Sequence, residues 1–233
     1  MKICAFSIPE INTGKYSVKD TRLDEVDKIT KAKKKTYIQV ELIGEDEGLD
    51  SDCLLVIEDA RADLILRDLE FVETRLSRCE EEAEKLLLNK LKNALEKEEF
   101  ISSLQLSQEE NTIISGYGLF TRKSVVVLEA GELQDKNTVL AKAVRDSGFI
   151  SFFTTGEKET RAWLIKKGTT ACEAAGCVHS DIQRGFIRAE IISFNDFLSC
   201  GGEAQAKQQG KMRLEPKDYL MQDADITNFR FNK

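Results

Sequence analysis

One histidine, one tryptophan and two prolines occur in 233 residues. A single histidine leaves no His-based metal set, and the one present, His179, has only its chain neighbour Ser180 as a nucleophile, a poor geometry for activation. A turn cap is the expected role. The six cysteines stand at 4, 53, 79, 172, 177 and 200, and only Cys172 and Cys177 lie close together. No Cys-x-x-Cys unit occurs, so no metal is expected and the thiols read as reduced, several buried as small apolar groups. An oxidised Cys172–Cys177 pair is the one redox alternative. No apolar run approaches the roughly 20 residues that span a bilayer. The opening MKICAFSIPE has neither the apolar length nor the cleavage pattern of a signal peptide. These shortages point to a cytoplasmic protein with no membrane partner.

The chain carries 34 basic and 41 acidic side chains, a net charge of −7. The deficit is local. Residues 147–233 hold 12 basic and 11 acidic residues, and residues 1–146 hold the remaining 22 and 30. That balance excludes a whole-surface nucleic-acid binder and any reading of DNA sequence, while leaving room for a basic face in the C-terminal part.

Apolar runs at 1–8, 36–43, 53–57 and 124–128 read as strands, the last two as strands buried on both faces. Residues 22–34 and 137–147 read as helices. Residues 60–97 contain neither Gly nor Pro, and apolar residues recur at steps of three and four from Ile65 through Leu69, Val72, Leu76, Cys79, Ala83 and Leu86, then from Leu87 to Leu95. This stripe predicts a helical hairpin turning near 78–82, or else one long helix that needs a second chain; the hairpin makes a monomer, the long helix a dimer through residues 60–97. Ser107 followed by Glu110 predicts a capping box. After Gly148 the pattern changes to short strands and tight turns.

The runs ISFFTTGEKETRAWLIKKGT, VHSDIQRGFIRAEII and KDYLMQDADI-x-x-FRFN within residues 150–232 closely resemble the C-terminal domain of the YchF/Obg-like ATPase family. The resemblance implies a TGS-like, ubiquitin-like β-grasp domain over residues 149–233. Cys172 replaces a usual Pro, and Pro216 and Ala224 replace usual Gly. NTGKYSVKDTRLDEVDKI, DARADLILRDLEFVETRL and SVVVL are similar to fragments of the family's nucleotide-binding domain and coiled-coil insertion. The implied fold is a reduced P-loop-GTPase-like α/β sheet in residues 1–58 and 120–148, with a helical coiled-coil insertion at 59–119. In the family arrangement the four strands make a contiguous, mostly parallel sheet, and helices 22–33 and 137–147 cover it.

A phosphate loop needs Gly-x-x-x-x-Gly-Lys-[Ser/Thr]. Counting back from Gly14 places Pro9, which lacks an N–H, at the first glycine, and Tyr16 follows Lys15 where a small hydroxyl belongs. Gly14 and Lys15 therefore read as a look-alike. Gly44-Glu-Asp-Glu-Gly48 stands where the family has Asp-x-x-Gly, with Asp46 and Gly48 wrongly spaced. Glu129-Ala-Gly-Glu132 replaces the Asn-containing base-recognition motif. From these departures the sequence predicts a protein that is not an enzyme and has no cofactor, acting as an adaptor for RNA, the ribosome or a translation protein. A divergent NTPase and a module dimerising through the helical stripe are the alternatives. The resemblance implies an RNA- or ribosome-facing cleft, for which Arg161, Lys166, Lys167, Arg184, Phe186 and Arg188 are the candidate contacts. Alternation along the strand would put Phe186 and Arg188 on one face. The competing reading makes Trp163 and Phe186 core residues with a solvated charged rim.

Overall fold

Short β-branched runs become parallel strands here because they are buried from both sides. Lys2–Phe6 (β1) pairs in parallel with Ile38–Ile43 (β4) and with Cys53–Ile57 (β5), and β5 pairs in parallel with Ser124–Leu128 (β6). Gly14–Val18 (β2) is the outer neighbour of β4, so the five-stranded order is β2-β4-β1-β5-β6. Cys53, Leu54, Leu55 and Val56 are fully buried, as expected of a central strand of a parallel sheet. The expected contiguous order of the four strands is the observed one. The computed structural model describes residues 1–8 and 11–232. By internal contacts, residues 1–16 with 40–147 form one unit and residues 17–39 with 148–233 a second.

The first unit also carries the helical insertion. Arg61–Leu76 (α2) and Glu82–Leu95 (α3) pack on each other, which makes residues 60–97 a hairpin with its turn where expected. Leu87, Leu88, Leu91 and Leu95 bury against Ile65 and Val72. Two stripe positions are corrected: Ala83 is exposed and Leu86 is 72% exposed. The turn at 77–81 resets the helical phase, so α3 begins its inward face at Glu84 instead. Glu84 accepts hydrogen bonds from Arg75 Nε (2.6 Å), from Cys79 Sγ (3.1 Å) and from the Tyr117 hydroxyl. The Arg75 guanidinium holds the Glu84 carboxyl down to about 2. Asp68, also buried, accepts from the amides of Phe120 and Thr121 and from the Thr121 hydroxyl. Ser107 and Glu110 form the expected capping box of Gln108–Ile113 (α4). Lys136–Asp146 (α5) packs on β5 and β6.

The second unit is a mixed six-stranded sheet. Its strands are Lys35–Thr36 (β3), Phe149–Thr154 (β7), Thr160–Lys166 (β8), Phe186–Ile192 (β9), Arg213–Glu215 (β10) and Ile226–Phe231 (β11), in the order β10-β9-β11-β7-β8-β3. β7 and β8 form an antiparallel pair, β11 runs antiparallel to β9, and β3 runs parallel to β8. Ala171–Val178 (α6) and Ser180–Arg184 (α7) follow β8, and Phe194–Cys200 (α8) and Glu203–Gln208 (α9) follow β9. Phe152, Ile165, Ala174, Ala175, Ile191 and Phe229 close the core between sheet and α6.

The helix Thr21–Thr30 (α1) corrects the expectation that residues 22–33 cover the parallel sheet. It belongs to this second unit and packs on β8. The reason lies in side chains the periodicity does not report. Arg22 lies over the Phe153 ring at 5.9 Å and pairs with Asp223 at 2.7 Å, and the Thr30 and Thr160 hydroxyls meet at 2.8 Å. The following residues then extend the sheet as β3.

Candidate functional site

The five-stranded sheet reverses its direction of travel at β1. The chain adds β4 on one side of β1 and then β5 on the other, so the carboxyl end of β1 is a topological switch point, the place where open α/β sheets bind ligands. Ser7 follows β1 with φ of 52°, in the left-handed region that non-glycine residues avoid. Its amide donates to Glu45 Oε1 at 2.7 Å, and its hydroxyl lies 3.5 Å from the same oxygen. Glu45 opens the 3₁₀ helix Glu45–Asp50 that follows β4. Under it, the Cys4 thiol points to the Gly44 carbonyl at 3.7 Å and is pushed up to about 11, first by burial and then by the Glu45 charge. A Cβ on Gly48 would fall 2.5 Å from Phe120 Cε1 and 3.1 Å from Cys4 Sγ, so close packing demands that glycine.

Glu45 is the residue that the sequence reading missed. Measured from Asp46 the spacing to Gly48 is wrong, but Glu45-x-x-Gly48 keeps the three-residue step of Asp-x-x-Gly with the longer acid. Counting back from the packed glycine would have found it. Gly14 and Lys15, by contrast, lie in the edge strand β2. An extended strand sends successive amides to opposite sides and does not curl them round a phosphate. Tyr16 serves this strand's packing: its hydroxyl donates to the Asn12 carbonyl at 2.9 Å and its ring lies 4.4 Å from Lys136 Nζ. Pro9 lies outside the described residues. At the end of β6, Glu132 Oε2 accepts from the Glu129 amide at 2.9 Å and Oε1 from Lys142 Nζ at 2.8 Å. The Lys142 ammonium draws the Glu132 carboxyl below its ordinary value. Among the described residues no three acidic, His or Cys side chains converge on a metal position.

The six cationic and aromatic candidates of the second unit do not share one surface. Arg161 lies 4.0 Å above the Trp163 ring, on the sheet face that packs α6. Trp163 is half-buried, stacks on Phe152 and donates to the Thr154 hydroxyl at 2.9 Å. Alternation along β8 puts Lys166 on the other face, and Lys167 sits in the turn beyond, its amide donating to the Gly148 carbonyl. The expectation of a shared face for Phe186 and Arg188 is corrected. Opposite Arg230 and Phe231 the register slips, so Arg188 pairs with Arg230 and Phe186 with Phe231, leaving Ile187 as a bulge. Phe186 packs toward the α6 core, 6.1 Å from Phe229. Arg188 faces the other way and is exposed. Arg230 beside it is held by Glu190 at 3.0 Å, while Arg188 has no ion pair among the described residues.

Arg184 stands at the rim of a cleft of about 710 Å³ whose lining includes His179, Ile182 and Phe231. It pairs with Asp181 at 3.2 Å and remains 78% exposed. His179 caps α7, Nδ1 accepting from the Asp181 amide at 3.1 Å, the structural role expected of it. Gly185 is dictated by the C-terminal strand: a Cβ there would lie 2.0 Å from the Asn232 carbonyl oxygen. The Cys172–Cys177 disulfide is corrected. Both residues lie on α6, five apart, a spacing that separates Cα atoms by roughly 8–9 Å in a helix, beyond the reach of a disulfide.

Three comparisons bear on this architecture. A family profile described as "YchF-GTPase_C: Protein of unknown function (DUF933)" matches residues 149–232. The chain is 32% identical over 241 residues to the "Ribosome-binding ATPase YchF" of Bacillus subtilis (strain 168), covering 76% of this chain and 66% of that one. It is 49% identical over 96 residues to the protein of that name in Escherichia coli O157:H7, covering 41% and 26%. The structure of the Schizosaccharomyces pombe YchF GTPase superposes with a TM-score of 0.75 at 19% identity, over 96% of this chain and 90% of that one. These names overturn the expectation of a protein that is not an enzyme: the similar proteins are named as an ATPase and a GTPase.

Proposed function

The chain belongs to the YchF family, and from that premise we propose that it is a divergent nucleotide-handling protein that binds the ribosome. The observation that carries the nucleotide half is the carboxyl end of β1. There the sheet order reverses, a strained Ser7 presents its amide, and Glu45-x-x-Gly48 lies alongside. The sequence has no Gly-x-x-x-x-Gly-Lys-[Ser/Thr] run, so other groups would hold the phosphates, and we assign that role to the Ser7 amide, now bonded to Glu45, and the Ser7 hydroxyl. Mg²⁺ fits this setting only as an ion that arrives on the phosphates, for which one carboxylate from the protein, here Glu45 or Asp46, suffices. Bound so, it would neutralise phosphate charge. Titration of the full chain with fluorescent ATP and GTP in Mg²⁺ checks this: micromolar binding with turnover is expected, and no binding up to millimolar nucleotide sinks it.

The ribosome half rests on the relatives' printed names and on the second unit, whose residues 149–232 the family profile matches. The guanidinium of Arg188, without an ion pair among the described residues, and the exposed one of Arg184 are the groups we assign to the RNA backbone. Such contacts release counterions and weaken steeply with salt. Co-sedimentation with ribosomes across a salt series is expected to show that dependence. Arg188→Glu and Arg184→Glu should each lower the association by about tenfold at physiological salt. Retention of both variants at the wild-type level would remove these residues from the interface.

A further inference from the structure

The geometry points to Glu45 as a built-in anion that plugs the phosphate position at the end of β1, so that a phosphate-bearing ligand must displace it. This rests on the nucleotide reading above and adds its regulation. The Ser7 amide is the donor that the switch point offers to an incoming oxyanion, and the protein's own carboxylate already takes it at 2.7 Å with the hydroxyl close by on the same oxygen. A carboxylate and a phosphate compete for the same kind of donor, and both gain from the shorter, charge-assisted bond. Two features hold the plug in register. Ser7 is held in the left-handed region while its amide is bonded to Glu45. Three residues on, Gly48 packs against the Phe120 ring and Cys4 with no space for a side chain, which anchors the short helix that begins at Glu45. Leaving the site therefore requires Glu45 to rotate away, with Gly48 as the fixed end of the lever. The neighbouring Asp46 and Glu47 are exposed, and the side-chain hydrogen bonds of Ser7 among the described residues go to Glu45. They contribute charge but no plug, and this separates a specific contact from general repulsion.

The test uses the full chain and inorganic pyrophosphate without Mg²⁺, so that any role of Glu45 toward the metal does not enter. Pyrophosphate affinity is read by calorimetry and by the Ser7 amide resonance in wild type, Glu45→Ala and Glu47→Ala. Glu45→Ala is expected to bind at least about tenfold more tightly than wild type, the scale of one charge-assisted hydrogen bond, with the Ser7 resonance moving on titration. Glu47→Ala, which removes the same charge and leaves the contact, should stay within about twofold of wild type. Equal tightening in both variants reduces the effect to bulk charge and overturns the plug. So does a Glu45→Ala affinity equal to wild type, or a Ser7 resonance that does not respond. A repeat with Mg²⁺·ATP separates the two readings. Pyrophosphate gain without any nucleotide binding keeps the plug and sinks the nucleotide function. Nucleotide binding that is identical in wild type and Glu45→Ala does the reverse.

Discussion

The two units treat their polar groups differently. At the ends of β1 and β6 in the five-stranded unit polar groups are closed on one another: the Ser7 amide on Glu45, and the Glu129 amide and Lys142 on Glu132. In the six-stranded unit Arg184 and Arg188 point outward, one loosely paired and one unpaired among the described residues. A unit with satisfied polar ends must break an internal contact to take a ligand, whereas outward guanidinium groups bind without rearrangement. The closely packed glycines are alike in the two units. Gly48 is demanded by a ring packed against it and Gly185 by the backbone of the C-terminal strand, so neither needs a ligand to explain it.

That contrast breaks or sharpens by experiment, and Trp163, the only tryptophan, makes the two units separable because its fluorescence reports the second one. Gly185→Ala should have the largest effect, destabilising the six-stranded unit by about 4 kcal/mol, since backbone at 2.0 Å cannot yield as a side chain would. Chemical denaturation followed at Trp163 checks it, and an unshifted midpoint would show that the C-terminal strand is not what requires glycine. Asp68→Ala leaves three buried donors without an acceptor and should cost the first unit about 3 kcal/mol. Circular dichroism reads that loss, with the Trp163 transition unmoved. A transition at Trp163 that moves in step would mean the two units unfold together, and the comparison would lose its meaning. Gly48→Ala is smaller, about 2 kcal/mol, because the edge of the Phe120 ring can give way a little.

The smallest effect concerns pH. Glu84 is held in the folded state at about 2 against an ordinary 4.5. Its contribution is therefore complete above pH 4.5 and is lost as the pH falls toward 2. Glu84→Gln should flatten the first unit's stability profile over that window and leave it unchanged in shape above it. A variant whose acid limb matches wild type would show that Arg75 and Tyr117 do not select the charged form.

Much of the architecture was legible without the structure. Parallel strands announced themselves as continuous apolar runs, CLLVI and SVVVL, because both faces must be dry. The hairpin was legible because three-and-four spacing persisted across residues with no breaker. The misplacements have a common cause. Ala83 and Leu86 were assigned inward because a sequence pattern carries no record of a turn that shifts helical phase. Phe186 and Arg188 were given one face because a bulge is invisible unless the partner strand is known. Glu45 was overlooked because its meaning depends on Ser7, 38 residues earlier.

By itself the sequence determined the apolar strands of the parallel sheet, the helical hairpin, where the pattern changes at Gly148, and the family, since these depend on local periodicity and on runs of identity; it missed the strand at 14–18 and ran 36–43 as one strand where the structure divides it between β3 and β4. Tertiary structure alone decided that α1 joins the six-stranded unit, that the candidate arginines part onto different faces, and that a carboxylate meets the amide at the end of β1. Those outcomes are set by pairings between residues far apart in the chain, whose energies come from distance and burial, and no local pattern encodes either.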